Sequence, residues 1–190
     1  MKVLLLDNYD SFTYNLEYIL KKYAEVEVLR NDKITPAQCM NFDLIVLSPG
    51  PGLPHAAGNM NAIISQRAGK IPILGICLGH QAIGEYLGAE LINLNEVYHG
   101  KKTKISVYNN DSGIFHDLES QIFVGRYHSW SIDPDTISDR ITVTAVSEDG
   151  QIMAIENSAL NLYGLQFHPE SILTEGGELM ISNFIKMVKQ

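Results

Sequence analysis

Ile73-Leu74-Gly75-Ile76-Cys77-Leu78-Gly79 changes periodicity within seven residues. Residues 73–76 form a short continuous apolar run, the pattern of a strand buried on both faces in a parallel sheet. From Leu78 onward the spacing is helical, with Leu78, Ala82, Tyr86 and Leu87 in one stripe and Gly88 as a stop. Cys77 stands at the junction in the form G-x-C-x-G, the sulfur version of a nucleophile elbow. A sharp strand-to-helix turn leaves no room for side chains beside the nucleophile, which accounts for glycine at 75 and 79. The helix directs its N-terminus at the sulfur, where the dipole and free N–H groups stabilise negative charge. The backbone N–H of Leu78 then supplies half of an oxyanion hole. A free cysteine is often inert filling, and Cys39 is read that way; the strand-turn-helix context sets Cys77 apart.

Working outward, Val3-Leu4-Leu5-Leu6 and Leu44-Ile45-Val46-Leu47 are buried-strand runs of the same kind. Between the runs lie helical stretches. Phe12, Leu16, Ile19, Leu20 and Tyr23 share one helix stripe, with Asp10 or Ser11 as the expected N-cap. From about residue 90 the period shortens, since Ile105/Val107 and Ile141/Val143/Ala145 alternate with polar neighbours as half-buried strands do. Asp149-Gly150 predicts a tight hairpin, since both residues tolerate positive φ. Ile181, Phe184, Ile185 and Val188 mark a final helix. The predicted fold is α/β: a doubly wound, mostly parallel open sheet of flavodoxin type, with helices on both faces and a small antiparallel addition.

The chain's 190 residues fit one domain, 1–190, with no repeat, linker or low-complexity segment. Fourteen Lys and Arg against 22 Asp and Glu give a net charge of −8, which argues against nucleic acid or an anionic membrane as partner. Two distant cysteines form neither a disulfide framework nor a zinc motif and suit a reducing cytoplasm. The four apolar residues before Asp7 are too few for a signal-peptide core, and no run approaches the ~20 residues of a membrane span.

A thiol nucleophile needs a base that accepts a proton and returns it to the leaving amine, and histidine suits neutral pH. His168 follows the strand-like run from Leu162 to Phe167 and opens His168-Pro169-Glu170. Proline keeps its predecessor extended, which brings residues 168 and 170 to the same side of the chain. Glu170 can then orient the imidazole and stabilise its charged form. His55 and His116 read as loop or surface residues, and His80 sits in the first turn of the elbow helix. No metal-ligand spacing is present, so no catalytic metal is expected. Ser48-Pro49-Gly50-Pro51-Gly52 follows the run 44–47, a stiff loop whose glycines allow close backbone approach to a ligand and free an N–H for an oxyanion.

These residues resemble the class I, triad-type glutamine amidotransferases, most closely the small subunits of anthranilate synthase and aminodeoxychorismate synthase. The resemblance spans nearly the whole chain. It is carried by Asp7 to Thr13, Ser48 to Gly52, Gly75 to Gln81, His99-Gly100-Lys101, Arg126-Tyr127-His128-Ser129 and Gln166 to Ser171. It implies that Cys77 attacks glutamine, with loss of ammonia, and that the γ-glutamyl thioester is hydrolysed with His168 as base and Glu170 as orienting acid. Gly52 and Leu78 would supply the oxyanion N–H groups. Gly50, Pro51 and Gly52 would line the substrate pocket, Gln81 would contact the amino acid end of glutamine, and the backbone at Ser129 and Trp130 would hold its α-groups. The family more often has leucine at the position of Trp130. The resemblance further implies a large synthase partner that binds chorismate, no cofactor in this chain, and magnesium on the partner. The Asp7–Ser11 and His99–Lys101 segments become candidates for interface or pocket structure, alongside their plainer reading as a helix cap and a turn.

Anthranilate synthase, in tryptophan biosynthesis, stands first. Aminodeoxychorismate synthase, in folate biosynthesis, and a subunit serving both are the alternatives. A free-standing γ-glutamyl hydrolase is a more distant possibility, and a flavodoxin-like binding module with an incidental cysteine is the contrary one.

Overall fold

A computed structural model gives the fold and describes residues 1–108 and 113–189. In chain order the elements are β1 (Lys2–Asp7), α1 (Thr13–Leu20), β2 (Glu25–Arg30), β3 (Leu44–Leu47), α2 (Met60–Arg67), β4 (Ile73–Ile76), α3 (Leu78–Tyr86), β5 (Leu91–Asn93), β6 (Lys101–Val107), β7 (Gln121–Arg126), β8 (Trp130–Ile132), β9 (Thr142–Ser147), β10 (Ile152–Asn157), β11 (Leu162–Leu165) and α4 (Gly177–Val188). One sheet runs β2-β1-β3-β4-β11-β10-β9-β6-β7, and β5 and β8 form a separate two-stranded ribbon. The first five strands of that order are parallel. From β11 through β7 each neighbouring pair is antiparallel.

The apolar runs at 3–6, 44–47 and 73–76 are wholly buried, as the continuous pattern requires. Alternate residues of these strands face two separate cores. Val3, Leu5, Leu44, Val46, Leu74 and Ile76 pack beneath Leu16 and Leu20 of α1 and Met180, Ile181 and Phe184 of α4. Leu4, Leu6, Ile45, Leu47 and Ile73 pack against Ile63 and Ile64 of α2 and Leu78, Ala82 and Ile83 of α3. Helices on both faces therefore seal the parallel half.

Three local expectations are corrected. Strand β2 is absent from the apolar-run reading because Glu25-Val26-Glu27-Val28-Leu29-Arg30 is an edge strand with charged residues at both ends and no residue wholly buried. Helix α1 begins after Phe12, which gives it no side-chain cap. Asp10 instead accepts Phe12 N–H at 2.8 Å, and Asp7 accepts the Thr13 hydroxyl at 2.9 Å and Tyr9 N–H at 2.9 Å. At the β9–β10 hairpin only Gly150 has positive φ, +79°. Gly150 N–H bonds Ser147 O at 2.9 Å, so the strands are joined by a longer loop with a glycine bulge. Asp149, part of that loop and partly exposed, accepts the Tyr98 hydroxyl at 2.8 Å and Arg126 at 3.4 Å.

The carboxyl ends of β1, β3, β4 and β11 open along one edge. Leu165 pairs with Ile76, and Cys77 N–H extends the ladder to Leu165 O at 2.8 Å. The residues that follow β4 and β11 are thereby side by side.

Candidate active site

Cys77 links β4 to α3 with φ 51° and ψ −98°. Such a conformation is costly for a non-glycine residue and persists only where the surroundings enforce it. The enforcement is visible at its flanks. A Cβ on Gly75 would collide with the backbone of Gly79, and one on Gly79 would lie 2.6 Å from Leu47 Cβ. The turn keeps Cys77 5% exposed, backed by the apolar core and faced by polar side chains. Leu78 opens α3, so its N–H has no partner within the helix.

His168 lies opposite, 2% exposed, with Nδ1 2.7 Å from Glu170 Oε1. Pro169 between them produces the same-side placement expected from the tripeptide. The other ring nitrogen, Nε2, is buried without a hydrogen bond of normal geometry. Burial alone would favour the neutral ring. The neighbouring Cys77 sulfur and the Glu170 carboxylate outweigh it and raise the imidazole from 6.5 to about 10. Aromatic rings wall this histidine: Tyr127 at 4.8 Å and Phe12 at 5.7 Å between centroids. The backbone is tied down by His168 N–H to Gly125 O at 3.1 Å and by the Thr174 hydroxyl to His168 O at 2.6 Å.

The 48–52 loop is braced by the first strand's end. Asn8 N–H donates to Ser48 Oγ and its amide to Ser48 O, both at 2.8 Å. A Cβ on Gly50 would lie 2.6 Å from Asn8 Cβ and 2.9 Å from Leu78 Cδ2, so glycine lets the loop reach both the first strand's end and the elbow helix. Pro51 and Gly52 are exposed, and Gly52 holds φ +78°. The Asp7–Ser11 segment thus braces this loop through Asn8, while Asp7 and Asp10 order the approach to α1 without capping it.

Gln81 is buried in α3, and its Nε2 donates to Trp130 O at 2.8 Å and to Gln166 Oε1 at 3.1 Å. Gln166, wholly buried at the end of β11, donates its own Nε2 to Cys77 Sγ at 3.6 Å. Gln166 has a contact with the sulfur that sequence reasoning missed. Its place two residues before His168, directly after a buried strand, was the available signal. Ser129 O accepts Leu94 N–H at 2.8 Å, and Trp130 pairs with Asn93 in the β5–β8 ribbon. This backbone therefore borders the same edge as Cys77.

Behind it lies a second buried polar group. His128 Nδ1 contacts Trp130 O at 2.8 Å, and Arg126 Nε donates to His128 Nε2 at 3.0 Å. The wholly buried Arg126 stacks its guanidinium 3.5 Å from the Tyr98 ring centroid and also reaches Asp149 and Gln151. Burial, then the Arg126 charge, lower His128 to about 3. His80, wholly buried against Gly164, is pushed to about 3 by burial. His55 and His116 are exposed, and His99 meets the Tyr127 ring edge-on at 6.1 Å. Cys39 is buried, its thiol 3.4 Å from Thr35 O. Among the described residues no group of three His, Cys, Asp or Glu is placed to hold a metal ion. None of their helices is long and apolar enough to cross a membrane.

A thiol at a strand-to-helix elbow, facing a histidine held by a carboxylate, is equipped for thiol-based acyl transfer at the carboxyl edge of a doubly wound sheet. The profile of the family described as glutamine amidotransferase class-I matches residues 4–188, and the chain belongs to that family. It is 45% identical to anthranilate synthase component 2 of Pseudomonas putida, over 98% of this chain and 97% of that one. It is 47% identical to aminodeoxychorismate synthase component 2 of Serratia marcescens, over 96% and 98%. A solved structure from Thermoplasma acidophilum, provisionally assigned as a GMP synthase subunit, superposes with a TM-score of 0.88 at 29% identity, covering all of this chain and 94% of that one.

Proposed function

We propose that the chain is the glutamine-hydrolysing subunit of a two-chain amidotransferase, supplying ammonia to a larger synthase that acts on chorismate. The observation that carries this reading is the convergence of Cys77, His168 and Glu170 at one strand-end edge. The Cys77 thiolate attacks the γ-carbonyl carbon of glutamine, and the oxyanion that forms is met by the N–H groups of Leu78 and Gly52. Protonated His168 gives its proton to the departing nitrogen, which leaves as ammonia and a γ-glutamyl thioester remains. The neutral ring then takes a proton from water. The hydroxide attacks the thioester carbonyl, the C–S bond breaks, and glutamate leaves with the thiolate restored. Glu170 keeps the ring in one orientation through both halves. The Ser129–Trp130 backbone and Gln81 receive the amino acid end of the substrate.

Cys77 and His168 are nearly sealed from solvent, so glutamine enters only after a shift that opens this edge, and docking of the synthase makes that shift more frequent. Anthranilate synthase is the first assignment of the partner. The 47% identity to an aminodeoxychorismate synthase component supports that enzyme as a second reading. Co-purification with each candidate synthase, followed by product analysis, decides between them. The isolated chain is expected to hydrolyse glutamine slowly and the matching synthase to accelerate it. Cys77→Ser in the complex should abolish glutamine-dependent synthesis while ammonia-dependent synthesis persists. Glutamine-dependent synthesis surviving in Cys77→Ser, or fast partner-independent cleavage of γ-glutamyl peptides, would refute the proposal.

A further inference from the structure

The two buried amides between α3 and β11 have a defined direction. A backbone carbonyl only accepts hydrogen bonds, so the contact with Trp130 O at 2.8 Å identifies the Gln81 atom facing it as Nε2. That same nitrogen lies 3.1 Å from the Gln166 side chain, so the Gln166 atom facing it is the oxygen. The remaining end of the Gln166 amide, its NH2, is therefore the one aimed at Cys77 Sγ, 3.6 Å away. Both hydrogens of Gln81 Nε2 are committed, and neither amide can flip without breaking a bond at the far end. Gln166 is wholly buried and Gln81 is 3% exposed, so water offers no substitute donor.

We propose that Gln166 is a positioning residue for the nucleophile. Its N–H donates to the Cys77 sulfur and fixes the direction in which the sulfur points, while Gln81 and the Trp130 carbonyl hold Gln166 in place. This rests on the reading of Cys77 as the nucleophile and extends it. The Trp130 carbonyl belongs to the ribbon assigned to the α-groups of glutamine, so a ligand or partner that displaces this backbone also loosens the sulfur. Occupancy of the amino acid end and aim of the nucleophile become one event. A negatively charged sulfur gains more from such a donor than a neutral thiol does, so the bond is strongest when the thiolate forms. Replacing Gln166 by an apolar side chain removes that donor and leaves the Gln81 amide with an unmet hydrogen.

The test measures two quantities in the complex with the synthase: the rate at which iodoacetamide alkylates Cys77 at one near-neutral pH, and kcat and KM for glutamine. Gln166→Met keeps the shape and loses the donor. Alkylation and kcat should each fall by about 10- to 100-fold, the scale of one lost hydrogen bond to a charged group, with KM little changed. Gln166→Glu keeps an acceptor for Gln81 but turns a carboxylate towards the sulfur. It should slow alkylation at least as much, which keeps the test open if the methionine variant fails to fold. Gln81→Met should slow alkylation and also raise KM. Because the two amides act in series, the double variant should alkylate no more slowly than Gln166→Met alone. Wild-type alkylation in both Gln166 variants, an effect confined to KM, or additive slowing in the double variant would overturn the proposal. Iodoacetamide reports on the sulfur without glutamine, and in the complex the edge that seals Cys77 opens. A Cys77 that is inert in the unaltered complex therefore overturns the nucleophile reading itself, whereas a reactive Cys77 indifferent to Gln166 overturns only the relay.

Discussion

His168 and His128 are 2% and 5% exposed, each follows a strand of the same sheet, and each sets Nδ1 within 2.8 Å of an oxygen. Their protonation is nevertheless driven in opposite directions, to about 10 and about 3. Burial lowers both and cannot be the cause of the difference. His168 is bracketed by a carboxylate and a sulfur, both of which favour a charged ring. His128 faces the Arg126 guanidinium, which repels a second positive charge. The remaining valence differs as well. Nε2 of His128 is spent accepting from Arg126, while Nε2 of His168 is uncommitted and turned to the nucleophile's side. A buried histidine becomes available for proton transfer here through the sign of its neighbours and one free nitrogen; depth alone leaves it structural.

The sharpest way to break that contrast is to remove each ring in turn. His168→Asn in the complex is expected to lower glutamine-dependent turnover by about 10³-fold or more, since the general base is lost while the nucleophile remains. His128→Asn should cost no more than about 10-fold, through loosened support of Trp130 O. Steady-state glutaminase assays measure both, and equal losses would erase the distinction. A second and smaller effect tests the guanidinium. Arg126→Met removes the donor to His128 and the partner of Asp149 and Tyr98 at once, and urea unfolding should register about 3 kcal/mol of destabilisation. In the same variant the His128 ring should become protonatable at a higher pH by NMR titration. An unmoved His128 resonance would mean that burial by itself accounts for its neutrality.

The contrast also shows what could be read before folding. Cys77, His168 and Glu170 were legible because their chemistry is local in the chain: a glycine-flanked elbow in one place and a proline-spaced pair in another. The parallel half was legible too, since strands buried on both faces announce themselves as unbroken apolar runs. Strand β2 was not, because an edge strand with charged ends gives no such run. Nor was the Tyr98–Arg126–His128–Asp149 cluster. Its members come from segments that meet only when β6, β7 and β9 pair, and Asp149, a turn residue by its pattern and in the fold, also accepts from Arg126 and Tyr98 across those segments. The contact between Gln166 and the sulfur depends on the register of β11 against β4, which no local pattern encodes.

The finest discrimination is thermodynamic. His128 and His80 both stand near 3 in the native protein against an ordinary value of 6.5. Below about 6.5 the unfolded chain therefore binds protons that the folded chain refuses, and stability falls as the pH drops towards 3. Each of these histidines adds a slope of about 1.4 kcal/mol per pH unit across that interval. His168 acts on the other side. Its raised value gives a contribution present in full below 6.5 and lost as the pH climbs through about 10. Urea unfolding as a function of pH should thus show an acid limb to which His80 and His128 each contribute one proton. His128→Asn should flatten that limb by one proton, whatever the variant does to stability at neutral pH, because the surface carboxylates titrate alike in both proteins. An unchanged slope would mean that His128 carries its proton in the folded state. Arg126 would then be facing a like charge at 3.0 Å, and the opposition between the two histidines would vanish.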